Sequence, residues 1–386
     1  MKPTQILRLS LVSLILVMAI SANQSANGKT PDFNDILKSA GQGDPNSQVC
    51  LGLMYGTGDG VVQDYKESLK WFTKAAEQGI AAAQFNVGLM FYNGKGVPQD
   101  YKEAFKWFTK ATEQGLALAQ YSLGVMYEKG DGVPKDYKES IKWYTKAAEQ
   151  GFALAQYNLG GMYYNVNGVP QDYKAAFRWF TKAAEQGLAS AQYNLGVMYD
   201  EGKGVPKDYN ESLKWYIKTA EQGLASAQCN LGVMYEKGKG VPQDYKEAIK
   251  WYTKAAEQGL DSAQYNLGWM YANGNGVSKD YKEAFKWYTK AAEQGYAKAQ
   301  FNLGLMFGKG EGVPEDYVQA YKWIILAAAQ GQQEAIKLRD SLNQVMSTEQ
   351  IAEAQRLAGE FKPRINNATD DRKGLEEVNS LVRRRE

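Results

Sequence analysis

The amino-acid sequence predicts an all-α protein, a solenoid of eight 36-residue helix–turn–helix repeats with helical caps at its ends. Two observations carry this prediction. Eight of the nine tryptophans recur at a constant spacing: Trp71, Trp107, Trp143, Trp179, Trp215, Trp251, Trp287 and Trp323. A glycine recurs with the same period: Gly52, Gly88, Gly124, Gly160, Gly196, Gly232, Gly268 and Gly304. Repeats of this kind stack on their neighbours and bury one continuous core.

One copy, Gly115 to Gly151, shows the layout of the unit. Apolar residues at helical spacing predict a first helix from about Leu116 to Glu128 and a second from about Tyr137 to Glu149. The loop Gly130–Pro134 ends the first helix, since glycine permits positive φ and proline cannot continue a helix. Gly151 closes the unit at a C-cap position.

Three residue types make finer predictions. Gly124 lies inside the first helix, where glycine costs about 1 kcal/mol relative to alanine. Its recurrence predicts close approach of the paired helix, which a Cβ atom would block. Asp136, followed by Glu139, predicts a capping box at the start of the second helix. Val166 replaces the first loop glycine of its copy, and we expect that loop to be distorted.

The ends of the chain differ from the repeats. We expect a capping helix in residues 27–43, repeats in 44–331, capping helices in 332–362 and a flexible polar tail in 363–386. The second helix of the last repeat, Trp323 to Gly331, is more apolar than the others. This predicts that a following helix covers it.

Residues 1–26 have the layout of a secretory signal peptide. Lys2 and Arg8 precede an apolar run from Leu9 to Ile20, and small residues follow. The run is too short to span a bilayer comfortably, which favours export to the periplasm or secretion, with cleavage near Ala22 or Ala26. An uncleaved N-terminal membrane anchor is the alternative. No later segment is apolar enough to cross a membrane, so we expect no integral membrane segment after cleavage.

The composition excludes several functions. With 45 Lys and Arg against 43 Asp and Glu, the net charge of +2 predicts no strong field for nucleic acid. The absence of histidine removes a Ser-His-Asp triad, a Cys-His pair and imidazole metal ligands. We therefore expect no catalytic residue, no metal site and no cofactor. Cys50 and Cys229 lie about five repeats apart, so we expect no intramolecular disulfide between them.

The repeated pattern A-x-x-x-L-G-x-M-Y-x-x-G-x-G-V-P-x-D-Y-x-E-A-x-x-W-Y-x-K-A-A-E-Q-G resembles the Sel-one-like repeat (SLR) family, a relative of the tetratricopeptide repeat. The resemblance covers residues 44–331. It implies a right-handed superhelix with first helices on a concave face and second helices on a convex face. Members of this family are generally adaptors or scaffolds for protein complexes. In bacteria they are often exported and linked to envelope or host-interaction tasks.

A cysteine-rich secreted subgroup of that family has been linked to β-lactam binding or hydrolysis. This chain lacks the cysteine pairs of the subgroup, and no Ser-x-x-Lys sequence occurs in it. The serine class of β-lactam chemistry needs that arrangement, and the metal-dependent class needs histidine-rich ligation. A cell-wall or β-lactam-related binder or hydrolase is therefore the alternative, and a non-catalytic scaffold is the favoured function.

By analogy with tetratricopeptide repeats, the residue three before the mid-helix glycine faces the concave groove. These ladder positions hold Phe85, Tyr121, Tyr157, Tyr193, Cys229, Tyr265 and Phe301. Trp269, the ninth tryptophan, follows its glycine by one residue and also faces the groove. One interpretation is an aromatic ladder that binds a protein or peptide partner; the other is packing between neighbouring first helices. The partner-binding prediction comprises Phe85, Tyr121, Tyr157, Tyr193, Tyr265, Trp269 and Phe301, whereas the periodic tryptophans are expected to pack between helices.

Overall fold

The computed structural model describes residues 32–364, and all regular secondary structure in this range is helical. The helices are α1 Phe33–Gly41, α2 Pro45–Thr57, α3 Tyr65–Glu77, α4 Ala81–Asn93, α5 Tyr101–Glu113, α6 Ala117–Lys129, α7 Tyr137–Glu149, α8 Ala153–Asn165, α9 Tyr173–Glu185, α10 Ala189–Glu201, α11 Tyr209–Glu221, α12 Ala225–Lys237, α13 Tyr245–Glu257, α14 Asp261–Asn273, α15 Tyr281–Glu293, α16 Ala297–Lys309, α17 Tyr317–Ala329, α18 Gln333–Leu342 and α19 Thr348–Gly359. The expected signal peptide and most of the expected polar tail lie outside the described residues.

The chain divides into two compact units that meet between Gln186 and Gly187. The first contains α1 to α9 and the second contains α10 to α19. Within each unit, helices that follow each other along the chain pack together. The even-numbered helices α2 to α16 are the first helices of the eight repeats, and the odd-numbered helices α3 to α17 are the second helices. The predicted all-α helical solenoid of eight repeats is confirmed.

The mid-helix glycine lies directly against a ring of the second helix. A Cβ atom on Gly124 would stand 2.5 Å from Cδ1 of Tyr144, far inside van der Waals contact. The same conflict recurs in the other repeats: Gly52 with Phe72, Gly88 with Phe108, Gly160 with Phe180, Gly196 with Tyr216, Gly232 with Tyr252, Gly268 with Tyr288 and Gly304 with Ile324. The predicted close approach of the two helices is confirmed.

The periodic tryptophans join neighbouring repeats. Trp143 packs against a buried cluster that contains Phe108 of the preceding second helix and Leu123 of its own first helix. Trp179 packs in the same way against a cluster that contains Tyr144 and Leu159. A lysine three residues on lies over the indole, as Nζ of Lys146 does at 4.4 Å from the Trp143 ring. The expected role in packing between helices is confirmed at these positions.

Buried glutamines form a second link between repeats. Nε2 of Gln150 donates to Oε1 of Gln120 at 2.7 Å, joining the two ends of one repeat. Nε2 of the next copy, Gln156, donates to the carbonyl oxygen of Ala148 in the preceding repeat. The glutamine pair recurs at 2.7–2.8 Å in every repeat: Gln48–Gln78, Gln84–Gln114, Gln120–Gln150, Gln156–Gln186, Gln192–Gln222, Gln228–Gln258, Gln264–Gln294 and Gln300–Gln330.

The capping box predicted at Asp136 is only half formed. The Asp136 carboxylate accepts hydrogen bonds from the backbone N–H groups of Lys138 and Glu139, as an N-cap does. Glu139 does not reach back to the Asp136 backbone, because its carboxylate pairs with Nζ of Lys142 at 3.0 Å on the exposed helix surface. The complete capping-box prediction is therefore wrong at this helix.

The loop at Val166 keeps the path of the other copies, so the predicted distortion is wrong. Val166 adopts the left-handed conformation with φ 61°, alone among the described non-glycine residues. Its N–H donates to the Met162 carbonyl, and the backbone of Asp172 bonds to Tyr163, as the matching residues do in the next repeat. The strain is confined to the backbone of Val166, where the left-handed conformation costs about 1–2 kcal/mol, and the rest of the loop is unchanged.

The last repeat is covered as predicted. Its second helix, α17, packs against both α18 and α19, and Ile324 and Ala327 are buried in a cluster with Ala335. Beyond α19 the chain turns back, and the Phe361 ring meets Trp323 with centroids 5.4 Å apart. Arg364, in the part expected to be a flexible tail, donates its backbone N–H to the Glu293 carbonyl at 2.8 Å.

The two cysteines are free, as expected. Cys229 is buried and Cys50 is half-buried, and burial raises the pKa of the Cys50 thiol. Within residues 32–364, none of the helices combines the length and the apolar character needed to cross a membrane.

We predict that Gly124→Ala destabilises the protein. The new methyl group collides with the Tyr144 ring, a steric cost of about 1–3 kcal/mol that exceeds the gain of about 1 kcal/mol in helix propensity. The matched control is Gly161→Ala, because a Cβ atom there meets nothing within 4 Å and only the propensity gain remains. Thermal and urea unfolding should move in opposite directions for the two variants; a stabilised Gly124→Ala variant would refute the packing argument.

We also predict that Val166→Gly stabilises the protein by about 1 kcal/mol, because glycine adopts positive φ without a Cβ clash. The reverse exchange at the matching loop position, Gly202→Val, should lower the unfolding temperature. An unchanged unfolding temperature for both variants would show that the loops carry no strain.

Candidate partner-binding face

The candidate site is the face that the first helices form in each unit, called here the first-helix face. The ladder positions lie on it, together with the residue that follows each mid-helix glycine. Among the described residues, no group of three or more Cys, Asp or Glu side chains is arranged to hold a metal ion.

Three of the ladder residues are closed to solvent. Phe85 is 1% exposed, Tyr121 is 3% exposed and Cys229 is 6% exposed. The two rings pack at a tilt on the ring below the mid-helix glycine: Phe85 on Phe108 with centroids 5.5 Å apart, and Tyr121 on Tyr144 at 5.6 Å. At these positions the ladder serves as core.

The remaining ladder residues, all aromatic, are half-buried. Tyr157, Tyr193 and Tyr265 each pack on the second-helix ring of their own repeat with centroids 5.7–5.8 Å apart. Phe301 packs beside the buried cluster of Ile324. Partial burial of a large ring against a fixed support gives a rigid surface of the kind that interface anchors use.

Trp269 is half-buried and packs against the buried clusters of two neighbouring repeats. The matching residues in the rest of its unit are smaller: Val197, Val233 and Leu305. Because valine or leucine is sufficient for the fold at this position, Trp269 adds aromatic surface that the fold does not require.

Gly161 holds the same position in the first unit, and sequence reasoning did not single it out as a site residue. A Cβ atom built on it meets nothing within 4 Å, so the first-helix face has an open space there. The sequence indicates this open space, because glycine occurs at this position in only one of the eight repeats.

Carboxylates at the edge of the face are engaged with buried tyrosines. The Tyr144 hydroxyl donates to Oε2 of Glu128 at 2.6 Å and accepts from Nδ2 of Asn158 at 3.0 Å. Burial, followed by the charge of Glu128 and the neighbouring Tyr121, raises the pKa of Tyr144 well above its ordinary value. Tyr252 donates to Glu236 in the same way. Both carboxylates therefore accept hydrogen bonds from tyrosines of the second helices.

In the second unit, further polar contacts order the same face. Nδ2 of Asn230 donates to the Tyr193 hydroxyl at 3.3 Å, and Nζ of Lys239 pairs with Asp200 at 3.2 Å. The Asn230 amide thus supports the Tyr193 hydroxyl from the next first helix.

Comparison with known families agrees with this architecture. The model of the Sel1 repeat matches the chain in eight consecutive segments: 45–80, 81–116, 117–152, 153–188, 189–224, 225–260, 261–296 and 297–332. The chain belongs to the Sel1 repeat family. Sel1 repeat proteins typically mediate protein–protein interactions as scaffolds.

Two solved structures are similar to this Sel1 repeat protein. One is c5321, a protective antigen present in uropathogenic Escherichia coli strains with an SLR fold, at 35% identity, 90% coverage of this chain, 83% of that chain and a TM-score of 0.61. The other is a Sel1 repeat protein from Oxalobacter formigenes, at 34% identity, 86% coverage of this chain, 93% of that chain and a TM-score of 0.64. A search of curated proteins gave no match.

We predict that this Sel1 repeat protein loses stability as the pH rises above about 10. Burial raises the pKa values of Tyr144 and Tyr216 above the ordinary value of 10.0. Above that pH the folded state therefore binds more protons than the unfolded chain, so stability is full below pH 10 and falls as the pH rises.

Urea unfolding between neutral and alkaline pH measures this loss. Tyr144→Phe is the matched control, since phenylalanine fills the same position at Phe108 and Phe180. The variant should show a shallower decline with pH, and an equal decline in both proteins would assign the loss to other groups.

Proposed function

We propose that this protein is an exported, non-catalytic scaffold that binds a protein or peptide partner through its first-helix face. The observation that carries the proposal is the half-buried Trp269. Tyr265 lies on the same first helix, and Phe301 lies on the first helix of the next repeat. Aromatic residues held on a rigid support are the usual anchors of protein interfaces. An extended peptide or a helix is the partner that best fits a row of such rings.

Export is supported by the signal-peptide pattern of residues 1–26. The similar c5321 is described as a protective antigen of uropathogenic strains, which suits a protein presented outside the cytoplasm. Both observations support a location in the periplasm or outside the cell, in an envelope or host-interaction process. Fractionation of cells that express the full chain tests this, with a variant that lacks residues 1–26 as the control.

We predict that Trp269→Val weakens partner capture by about tenfold or more, the loss expected of an interface anchor. Valine is chosen because Val197 and Val233 show that the fold accepts it at this position. Crosslinking in cells, with a photoreactive residue in place of Val233, identifies the partner, and titration with that partner gives the affinity of each variant.

The unfolding temperature of each variant provides the control. If Trp269→Val unfolds the protein, or binds the partner as the parent does, Trp269 is a packing residue and the proposed face is wrong. Tyr265→Phe keeps the ring and removes only the hydroxyl group, so it should retain most of the affinity.

A further inference from the structure

The end of the described chain occupies a small surface between the second helices of the last two repeats. The Phe361 ring contacts Trp323 edge-on, with an interplanar angle of 73°. Arg364 donates its backbone N–H to the Glu293 carbonyl and its guanidinium to the Glu293 carboxylate at 2.9 Å. Pro363 lies 3.6 Å from the place where a Cβ atom on Gly295 would stand.

This surface, called here the notch, consists of one tryptophan and of the glutamate and glycine that end the preceding second helix. In the occupied notch these residues are Trp323, Glu293 and Gly295. The same three residues recur at the same spacing within the two units: Trp107 with Glu77 and Gly79, Trp143 with Glu113 and Gly115, Trp179 with Glu149 and Gly151, Trp251 with Glu221 and Gly223, and Trp287 with Glu257 and Gly259.

Four of these notches, at Trp107, Trp143, Trp179 and Trp251, are open, whereas Trp287 is buried, as Trp323 is. A Cβ atom on any glycine of the four open notches would meet nothing within 4 Å, whereas Gly295 has Pro363 above it. Their glutamates are exposed and, among residues 32–364, form no ion pair, whereas Glu293 pairs with Arg364 and is half-buried. Each helix end also carries backbone carbonyls without a helical partner and a partial negative charge, which favour an N–H donor and a cation.

One residue distinguishes the open notches from the occupied one. In an open notch a lysine covers the indole, as Lys110 covers Trp107 at 4.2 Å. The matching residue in the last repeat is Leu326, which packs in the same cluster as Phe361. Lys322 lies over Trp323 there instead, where burial lowers the pKa of its ammonium group. An aromatic guest in an open notch would have to displace an exposed lysine side chain.

We propose that the open notches bind an extended segment of a partner protein in which an aromatic residue is followed, two and three positions later, by proline and arginine. Residues 361–364 supply the template: the ring contacts the indole, the proline covers the glycine, and the arginine meets the glutamate. The chain's own segment is tethered beside Trp323, so a high effective concentration keeps it there and leaves the other notches to a different protein. This surface lies on the second helices and is independent of the proposed first-helix face.

The first test is a fluorescein-labelled peptide with the sequence of residues 356–364, titrated with the full protein and followed by anisotropy. The controls are two versions of the peptide, one with alanine at the position of Phe361 and one with glutamate at the position of Arg364. We expect saturable binding of the parent peptide and a loss of about tenfold with the alanine version, as for removal of an anchor ring. Equal binding of all three peptides, or no binding, overturns the proposal.

The second test changes the protein. The triple variant Lys110→Leu, Lys146→Leu and Lys182→Leu copies Leu326 into the three open notches of the first unit and should bind the peptide several-fold more tightly. The matched control is Lys102→Leu, Lys138→Leu and Lys174→Leu, which removes exposed lysines of the same helices that do not lie over a tryptophan. Similar gains in both variants would indicate nonspecific apolar binding and refute the notch.

A peptide with a photoreactive ring in place of phenylalanine locates the guest. Crosslinks near Trp107, Trp143, Trp179 or Trp251 support the proposal. Crosslinks confined to Trp323 mean that the peptide only displaces the chain's own segment, and they overturn it. Self-association in sedimentation runs that disappears in Phe361→Ala would identify a second copy as the guest, which also contradicts a distinct partner.

Discussion

The contact between a mid-helix glycine and the side chain opposite it, a ring in seven repeats and Ile324 in the last, sets the distance between the two helices of each repeat. Gly124 and Tyr144 show its geometry, since even one added carbon atom has no room. The ring that fills this space also supports the ladder residue, as Tyr144 does for Tyr121. The depth of the first-helix face is therefore fixed by a residue on the opposite helix.

Neighbouring repeats are joined by contacts that identical units can make with each other. The glutamine at the start of each first helix bonds both to its own repeat and, as Gln156 shows, to the end of the preceding one. The tryptophan adds apolar area at the same junction. The glutamine bonds favour one register between repeats, because a buried amide without a partner costs about 1–3 kcal/mol.

The repeat spacing was sufficient to predict the helices, the core tryptophans and the close approach at glycine, because identical residues meet identical surroundings in each copy. It failed where two local solutions compete. Glu139 pairs with Lys142 and not with the backbone N–H at the start of its helix. Val166 adopts positive φ because the hydrogen bonds on either side of it fix the path of the loop. Which ladder rings are closed was not predictable from residue type, since Tyr121 is buried whereas Tyr157, a tyrosine at the same position of the next repeat, is half-buried. The notch was not predicted because residues 361–364, which occupy it, lie outside the 36-residue repeats.

The separations along the chain of the bonded groups have a consequence for how the protein folds. The glutamine pairs close over 30 residues and the Tyr144–Glu128 bond over 16, so each repeat can form most of its contacts soon after it is synthesised. Such local topologies fold fast, because little chain entropy is lost before contacts form. The Arg364–Glu293 bond joins residues 71 apart and is the exception. The last two repeats therefore complete their contacts only when the chain beyond α19 has been made, whereas the contacts within earlier repeats need only the adjacent segments of chain.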